Sequence, residues 1–165
     1  LYQRAFVVSS FGKTYHVTGW KTGYVVAPPA LSAELRKIHQ YVTFCGVTPL
    51  QHALADFMAE HPEHIAELPA FYQRKRDLFC DLLAGSRFRF RRAAGTYFQL
   101  ADYSAIRPDL DDVAMAEWLT REHGVAAIPV SVFYQEPPRE LRLVRFCFAK
   151  REDTLRQAAE RLCLV

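Results

Sequence analysis

The chain has no Cys-x-x-Cys pair, no apolar run long enough to cross a bilayer, and no large excess of charge of either sign. Each absence removes a class of protein. The four cysteines, Cys45, Cys80, Cys147 and Cys163, stand far apart with no histidine at ligand spacing, so no metal site and no disulfide framework is expected. They read as reduced, mostly packed thiols of a cytoplasmic protein. No stretch approaches the ~20 apolar residues of a membrane span, and nothing from Leu1 onward has the pattern of a signal peptide. Basic side chains number 21 against 18 acidic, a net charge of +3 spread evenly, so neither nucleic acid nor an anionic membrane is an expected partner. A small anionic partner stays open. There is no initiator methionine either, and Leu1 to Val8 runs straight into a strand pattern, as the later part of a longer chain would.

What is present is the composition of a folded globular protein: 165 residues, 50% hydrophobic and 24% charged. Phe6 to Ser9 and Gly23 to Ala27 are β-branched or aromatic runs bounded by glycine and by Pro28-Pro29, which predicts two strands buried in a sheet. Leu31, Leu35, Ile38 and Val42 recur at helical spacing. A second helix is expected from Thr48-Pro49, where threonine caps and proline fits the first turn, with its stripe through Leu50, Ala53, Leu54, Phe57 and Met58. Residues 63 to 84 carry a further helical pattern, which Pro69 should kink or split.

Beyond that helix the periodicity changes. Arg87-Phe-Arg-Phe-Arg91 alternates and predicts a strand with one wet face, paired as a hairpin with Tyr97 to Tyr103. A helix should start at Asp111-Asp112 and end at His123-Gly124; strands are expected at Val125 to Ile128 and Leu141 to Phe148, and a closing helix at Asp153 to Leu164. The fold class is α/β in two unequal parts, 1–75 and 76–165.

The segment richest in chemistry is Ser9-Ser-Phe-Gly-Lys-Thr-Tyr-His-Val-Thr-Gly-Trp-Lys-Thr-Gly-Tyr24. A lysine in a small-residue loop between two buried strands has room for a carbonyl partner, and desolvation there would lower its pKa toward the range Schiff-base chemistry needs. Ser10 precedes Lys13 by three positions and Lys21 follows it. A hydroxyl and a second cation beside a lysine suit a phosphate-bearing aldehyde. Composition alone allows a second account, a solvated loop with two ordinary lysines.

SFGK followed by GWKTGY resembles the loop of the fold-type I pyridoxal-phosphate aminotransferases of class I/II, nearest to the methionine and kynurenine branch. HQYVTFCGVTPLQHALA, AGTYFQLADYS, GVAAIPVSVF and LVRFCFAK are similar to later segments of the same family. The resemblance implies that 1–75 is the end of the large cofactor-binding domain and 76–165 the small C-terminal domain. It further implies an absent N-terminal half, pyridoxal 5'-phosphate as cofactor, amino acid and 2-oxo acid as substrates, and a homodimer. By the same resemblance Lys13 is the Schiff-base lysine, Ser10 and Lys21 hold the phosphate, and Phe44 approaches the neighbouring subunit's substrate pocket.

Period-two alternation on Leu141 to Phe148 puts Arg145 with Leu141, Leu143 and Cys147, and Arg142 with Val144, Phe146 and Phe148. A guanidinium among apolar residues needs an anion or a route to water. For Arg142 the expectation is a salt bridge or a snorkelling side chain. For Arg145 the RFCFAK context implies, by resemblance, a bidentate fork onto the substrate carboxylate. The histidines and glutamates at Glu60, His61, Glu63, His64 and Glu67 read as a solvated surface cluster rather than a metal site.

The activity implied is transfer of an amino group from an apolar or aromatic, methionine-like amino acid to a 2-oxo acid in ping-pong order. Two rivals stand beside it: a carbon-sulfur β-lyase on the same scaffold, and a non-catalytic fragment or assembly half.

Overall fold

The computed structural model describes residues 1–165, and by its contacts the chain divides into two compact units, Leu1–Leu68 and Pro69–Val165. In the first, strands β1 (Val7–Ser10) and β2 (Gly23–Val26) pair antiparallel, with Ser10 opposite Gly23. A Cβ on Gly23 would stand 2.5 Å from the Ser9 carbonyl oxygen, so only glycine lets the strands approach this closely. The short helix α1 (Phe11–Thr14) follows β1, and α2 (Pro29–Val42) and α3 (Thr48–Glu60) follow β2. Proline in the first turn suits both later helices, because the N–H it lacks has no partner there anyway.

One expectation for this unit is corrected. The paired strands are not buried: Val7, Val8, Tyr24, Val25 and Val26 all stand exposed. On α2 the apolar stripe is covered only in part, with Leu31 and Leu35 half-buried, Ile38 and Val42 exposed and no residue of the helix fully buried. Patterning marks which face of an element is apolar; it does not guarantee that the same chain covers it.

Helix α4 (His64–Leu83) runs continuously through Pro69. The second unit carries the core. Strand β5 (Leu143–Cys147) lies centrally, flanked antiparallel by β3 (Phe98–Asp102) and β4 (Ile128–Pro129). Helices α5 (Asp112–His123) and α6 (Glu152–Cys163) complete it. Phe79, Leu83, Phe88, Tyr103, Met115, Leu119, Val144, Phe146, Phe148 and Leu162 form one cluster away from water. Truncating one of its phenylalanines to alanine costs about 3–5 kcal/mol. The α5 boundaries follow from side chains: Asp111 accepts from Ala114 N at 2.8 Å, and Gly124 closes the helix at φ +63°.

The hairpin expected from residues 87–91 is reduced to one bridge, Arg89 to Asp102. Gln99 explains why. Its side-chain amide takes Arg91 O and Ala93 N for itself, diverting the strand from a ladder. The alternation still holds in burial, since Phe88 is buried while Arg87, Arg89 and Arg91 are exposed. At Val125 to Ile128 only the last residue pairs, continuing into Pro129, which lacks the donor a longer ladder would need.

Candidate active site

The end of the β1–β2 hairpin gathers Ser10, Lys13 and Lys21. Ser10 caps α1, its Oγ accepting from Gly12 N at 3.0 Å, and Phe11 N donates to Thr22 O at 3.1 Å. That bond brings the residue beside Lys21 against the start of the turn that carries Lys13. A Cβ on Gly12 would press on Thr18 Cα at 3.1 Å and Ser10 Oγ at 3.2 Å, so the loop closes tightly round this residue. Lys13 and Lys21 are exposed, contrary to the expected desolvation, and neither forms a salt bridge. A hydroxyl and two unpaired ammonium groups at one hairpin end can meet a phosphate and a carbonyl carbon.

Backbone strain falls at the same places. Four non-glycine residues have positive φ: His16 at 58°, Lys21 at 53°, Phe44 at 69° and Thr96 at 65°. Two flank the lysine turn. Phe44 ends the chain's exit from α2, its N–H bonded to His39 O at 2.8 Å, and its side chain is 76% exposed. Residues held in the left-handed region cost of order 1–3 kcal/mol and cluster where function fixes the backbone.

In the second unit Arg145 sits on central β5, opposite Leu100 of β3 and Ile128 of β4. Its guanidinium lies between two rings, 4.0 Å from the Phe98 centroid and 4.6 Å from that of Phe133. It pairs with no carboxylate, and its Nε is buried without a hydrogen-bond partner. The side chain lines a cleft of about 440 Å³ with Gly95, Thr96, Phe98, Leu100 and Phe133. A half-buried guanidinium between aromatic faces, with its Nε donor unspent, can bind an anion. Arg142 differs: it donates to the carbonyls of Pro108, Arg139 and Leu141, an arrangement of backbone acceptors in place of the expected salt bridge.

Several residues here were not legible in sequence. Gln99, 1% exposed, donates to Arg91 O and Leu100 O and accepts from Ala93 N and Cys80 Sγ, fixing the loop that lines the Arg145 cleft. Phe133 reaches Arg145 from a short helical turn whose Ser131 N is bound by buried Asp112 at 2.6 Å. His64, read as surface, has its Nε2 2.7 Å from Thr14 O, next to Lys13. His61 pairs with Glu63 at 3.2 Å, and no cluster capable of holding a metal ion forms. All four cysteines are unpaired.

The first unit thus offers a lysine turn with a neighbouring hydroxyl and second cation, and the second a guanidinium-lined cleft. Among known families, aminotransferase class I and II matches residues 2–162, and the chain belongs to that family. Methionine aminotransferase of Escherichia coli K12 is 57% identical over 98% of this chain and 42% of its own length. Kynurenine–oxoglutarate transaminase 3 of Rattus norvegicus is 36% identical over 97% and 39%. Among solved structures, the Escherichia coli protein described as having a methionine aminotransferase function superposes with a TM-score of 0.94 at 56% identity, over all of this chain and 43% of that one. N-succinyldiaminopimelate aminotransferase of Mycobacterium tuberculosis gives 0.87 at 34%, over 99% and 42%. The chain thus spans less than half the length of these relatives.

Enzymes of this family use pyridoxal 5'-phosphate. The donor set at the hairpin end fits it: one hydroxyl at Ser10 and two ammonium groups not committed to any carboxylate of this chain. No helix is long and apolar enough to cross a membrane.

Proposed function

We propose that the chain is the C-terminal part of an aminotransferase that moves the amino group of an apolar or aromatic, methionine-like amino acid to a 2-oxo acid. In this reading 1–75 closes the large cofactor domain and 76–165 forms the small domain. The observation that carries it is Arg145, a guanidinium with a buried, unpartnered Nε at a cleft walled by Phe98 and Phe133.

When bound, pyridoxal phosphate supplies an aldehyde for the amine and a conjugated ring that accepts the electron pair left as the Cα proton departs. Ser10 and Lys21 would hold the phosphate through a hydroxyl donor and a positive charge. Lys13 Nζ, carried on a turn that Ser10 caps, would meet the aldehyde and serve as the base that takes the proton from substrate Cα. Arg145 receives the α-carboxylate as a two-point fork, which fixes the direction of Cα. Phe98 and Phe133 flank that ion pair and offer an apolar wall for a thioether or aromatic side chain.

Phe44, strained and exposed, is assigned to the neighbouring subunit's pocket in a homodimer. Unpaired cysteines, two of them exposed, support a reducing compartment such as the cytoplasm. The test is product analysis on the full-length enzyme supplied with methionine and a 2-oxo acid. Formation of the 2-oxo acid of methionine, with one new amino acid per turnover, supports the proposal; pyruvate and ammonia from a cysteine conjugate, without transamination, would replace it with β-elimination.

A further inference from the structure

Thr14 closes α1, and its carbonyl is one of those a helix end leaves without an intrahelical partner. His64 Nε2 lies 2.7 Å from it, reaching across fifty residues of sequence. A carbonyl oxygen only accepts, so Nε2 carries the proton and donates. The imidazole is itself held: it stacks on Tyr15 at 5.3 Å and meets Phe57 edge-on at 5.5 Å and His16 at 5.9 Å. Its position is therefore fixed by three aromatic contacts from two separate parts of the chain, residues 15–16 and Phe57.

The turn bearing Lys13 is gripped on both sides. Ser10 Oγ binds Gly12 N just before the lysine, and His64 binds Thr14 O just after it. Lysine has a flexible four-carbon stem, and here the side chain is exposed, so the backbone is the part the fold can place. We propose that His64 is a positioning residue for Lys13, holding the C-terminal side of its turn so that the amine is delivered to one place. This rests on the reading of Lys13 as the lysine that meets the cofactor.

Three substitutions in the full-length enzyme separate donor from packing. His64→Gln puts an amide N–H at the reach of Nε2; His64→Asn offers one only at the reach of Nδ1; His64→Phe keeps the ring and removes the donor. Misplacing a reacting group by 1 Å can lower the rate about 100-fold, so kcat should fall by roughly 10- to 100-fold in His64→Phe and His64→Asn, with amino acid KM little changed. His64→Gln should recover most of the loss. In cofactor-free protein the amides of Tyr15 and His16, which bond to Phe11 O and Lys13 O, should exchange about tenfold faster in His64→Phe than in wild type or His64→Gln, because local opening becomes easier.

A His64→Phe enzyme matching wild type in kcat and exchange overturns the inference. Should that variant fail to fold, the Gln and Asn variants, which both lose the ring, decide it: equal kcat overturns, Gln well above Asn supports. Failure of the underlying reading looks different, since wild type itself would then yield no borohydride-reducible adduct on Lys13.

Discussion

The guanidinium carbon of Arg145 lies 4.0 Å from the centre of the Phe98 ring while its Nε is buried with no acceptor. The ring attracts the charge but offers no lone pair, so the cation is held in place without being neutralised. That combination is what a carboxylate ligand needs to find already assembled.

Arg145→Lys keeps the charge and loses the planar fork. In the full-length enzyme kcat/KM for amino acids should fall by ~2 to 4 kcal/mol, the range for breaking a charged hydrogen-bonded pair, while cofactor retention is unchanged. A decarboxylated amine should react equally poorly with both enzymes. Wild type discriminating amine from amino acid no better than the variant does would remove Arg145 from the site and bring Arg142 forward.

Lys13→Ala should abolish the borohydride-reducible adduct yet leave the melting temperature of the cofactor-free protein nearly unchanged, because Lys13 is exposed and makes no ion pair. Peptide mapping of the reduced adduct checks the position. Label found on Lys21 would reverse the two lysines' roles.

Gln99→Leu preserves bulk but leaves Arg91 O and Ala93 N without the amide that binds them. Each buried group left unsatisfied costs about 1–3 kcal/mol, so the denaturant midpoint should drop clearly while the slope stays the same. Substrate KM should rise with it, since the same loop lines the Arg145 cleft. An unshifted midpoint would mean that water satisfies those groups as well as Gln99 does.

Tyr103 is fully buried, its hydroxyl donating to Leu110 O at 3.2 Å, and burial pushes its pKa up to about 12 from an ordinary 10. The folded state then holds the proton more tightly than the unfolded one. The stability this adds is complete below pH 10 and is lost as pH rises through 12. Melting temperature should therefore fall more steeply between pH 10 and 12 in wild type than in Tyr103→Phe. Parallel curves would show that the phenol ionises as readily in the folded state as in the unfolded one.

The helices and central strand were legible because capping residues and periodicity act locally: Asp111 and Gly124 bracket α5, and Pro29 and Pro49 open α2 and α3. The residue types of the lysine turn and Arg145 were legible from their segment patterns. Gln99, Phe133 and His64 were not. Each acts through a partner that sequence spacing does not encode, such as Thr14 for His64, and a glutamine on a buried strand face carries no local sign that its amide will replace a hairpin. The exposure of β1 and β2 is not legible for a related reason: an apolar run specifies a face, and its cover is a long-range fact.

The contact between Gly23 and Ser9 also has an evolutionary side. Every residue other than glycine adds the Cβ that collides with the Ser9 carbonyl, a backbone atom that cannot rotate away, at 2.5 Å. Every other amino acid one nucleotide from a glycine codon meets the same wall, so only synonymous changes at codon 23 are neutral. A saturation library at this codon should return glycine alone, whereas the exposed valines of the same two strands should accept wide replacement in any background that tolerates their loss of apolar surface.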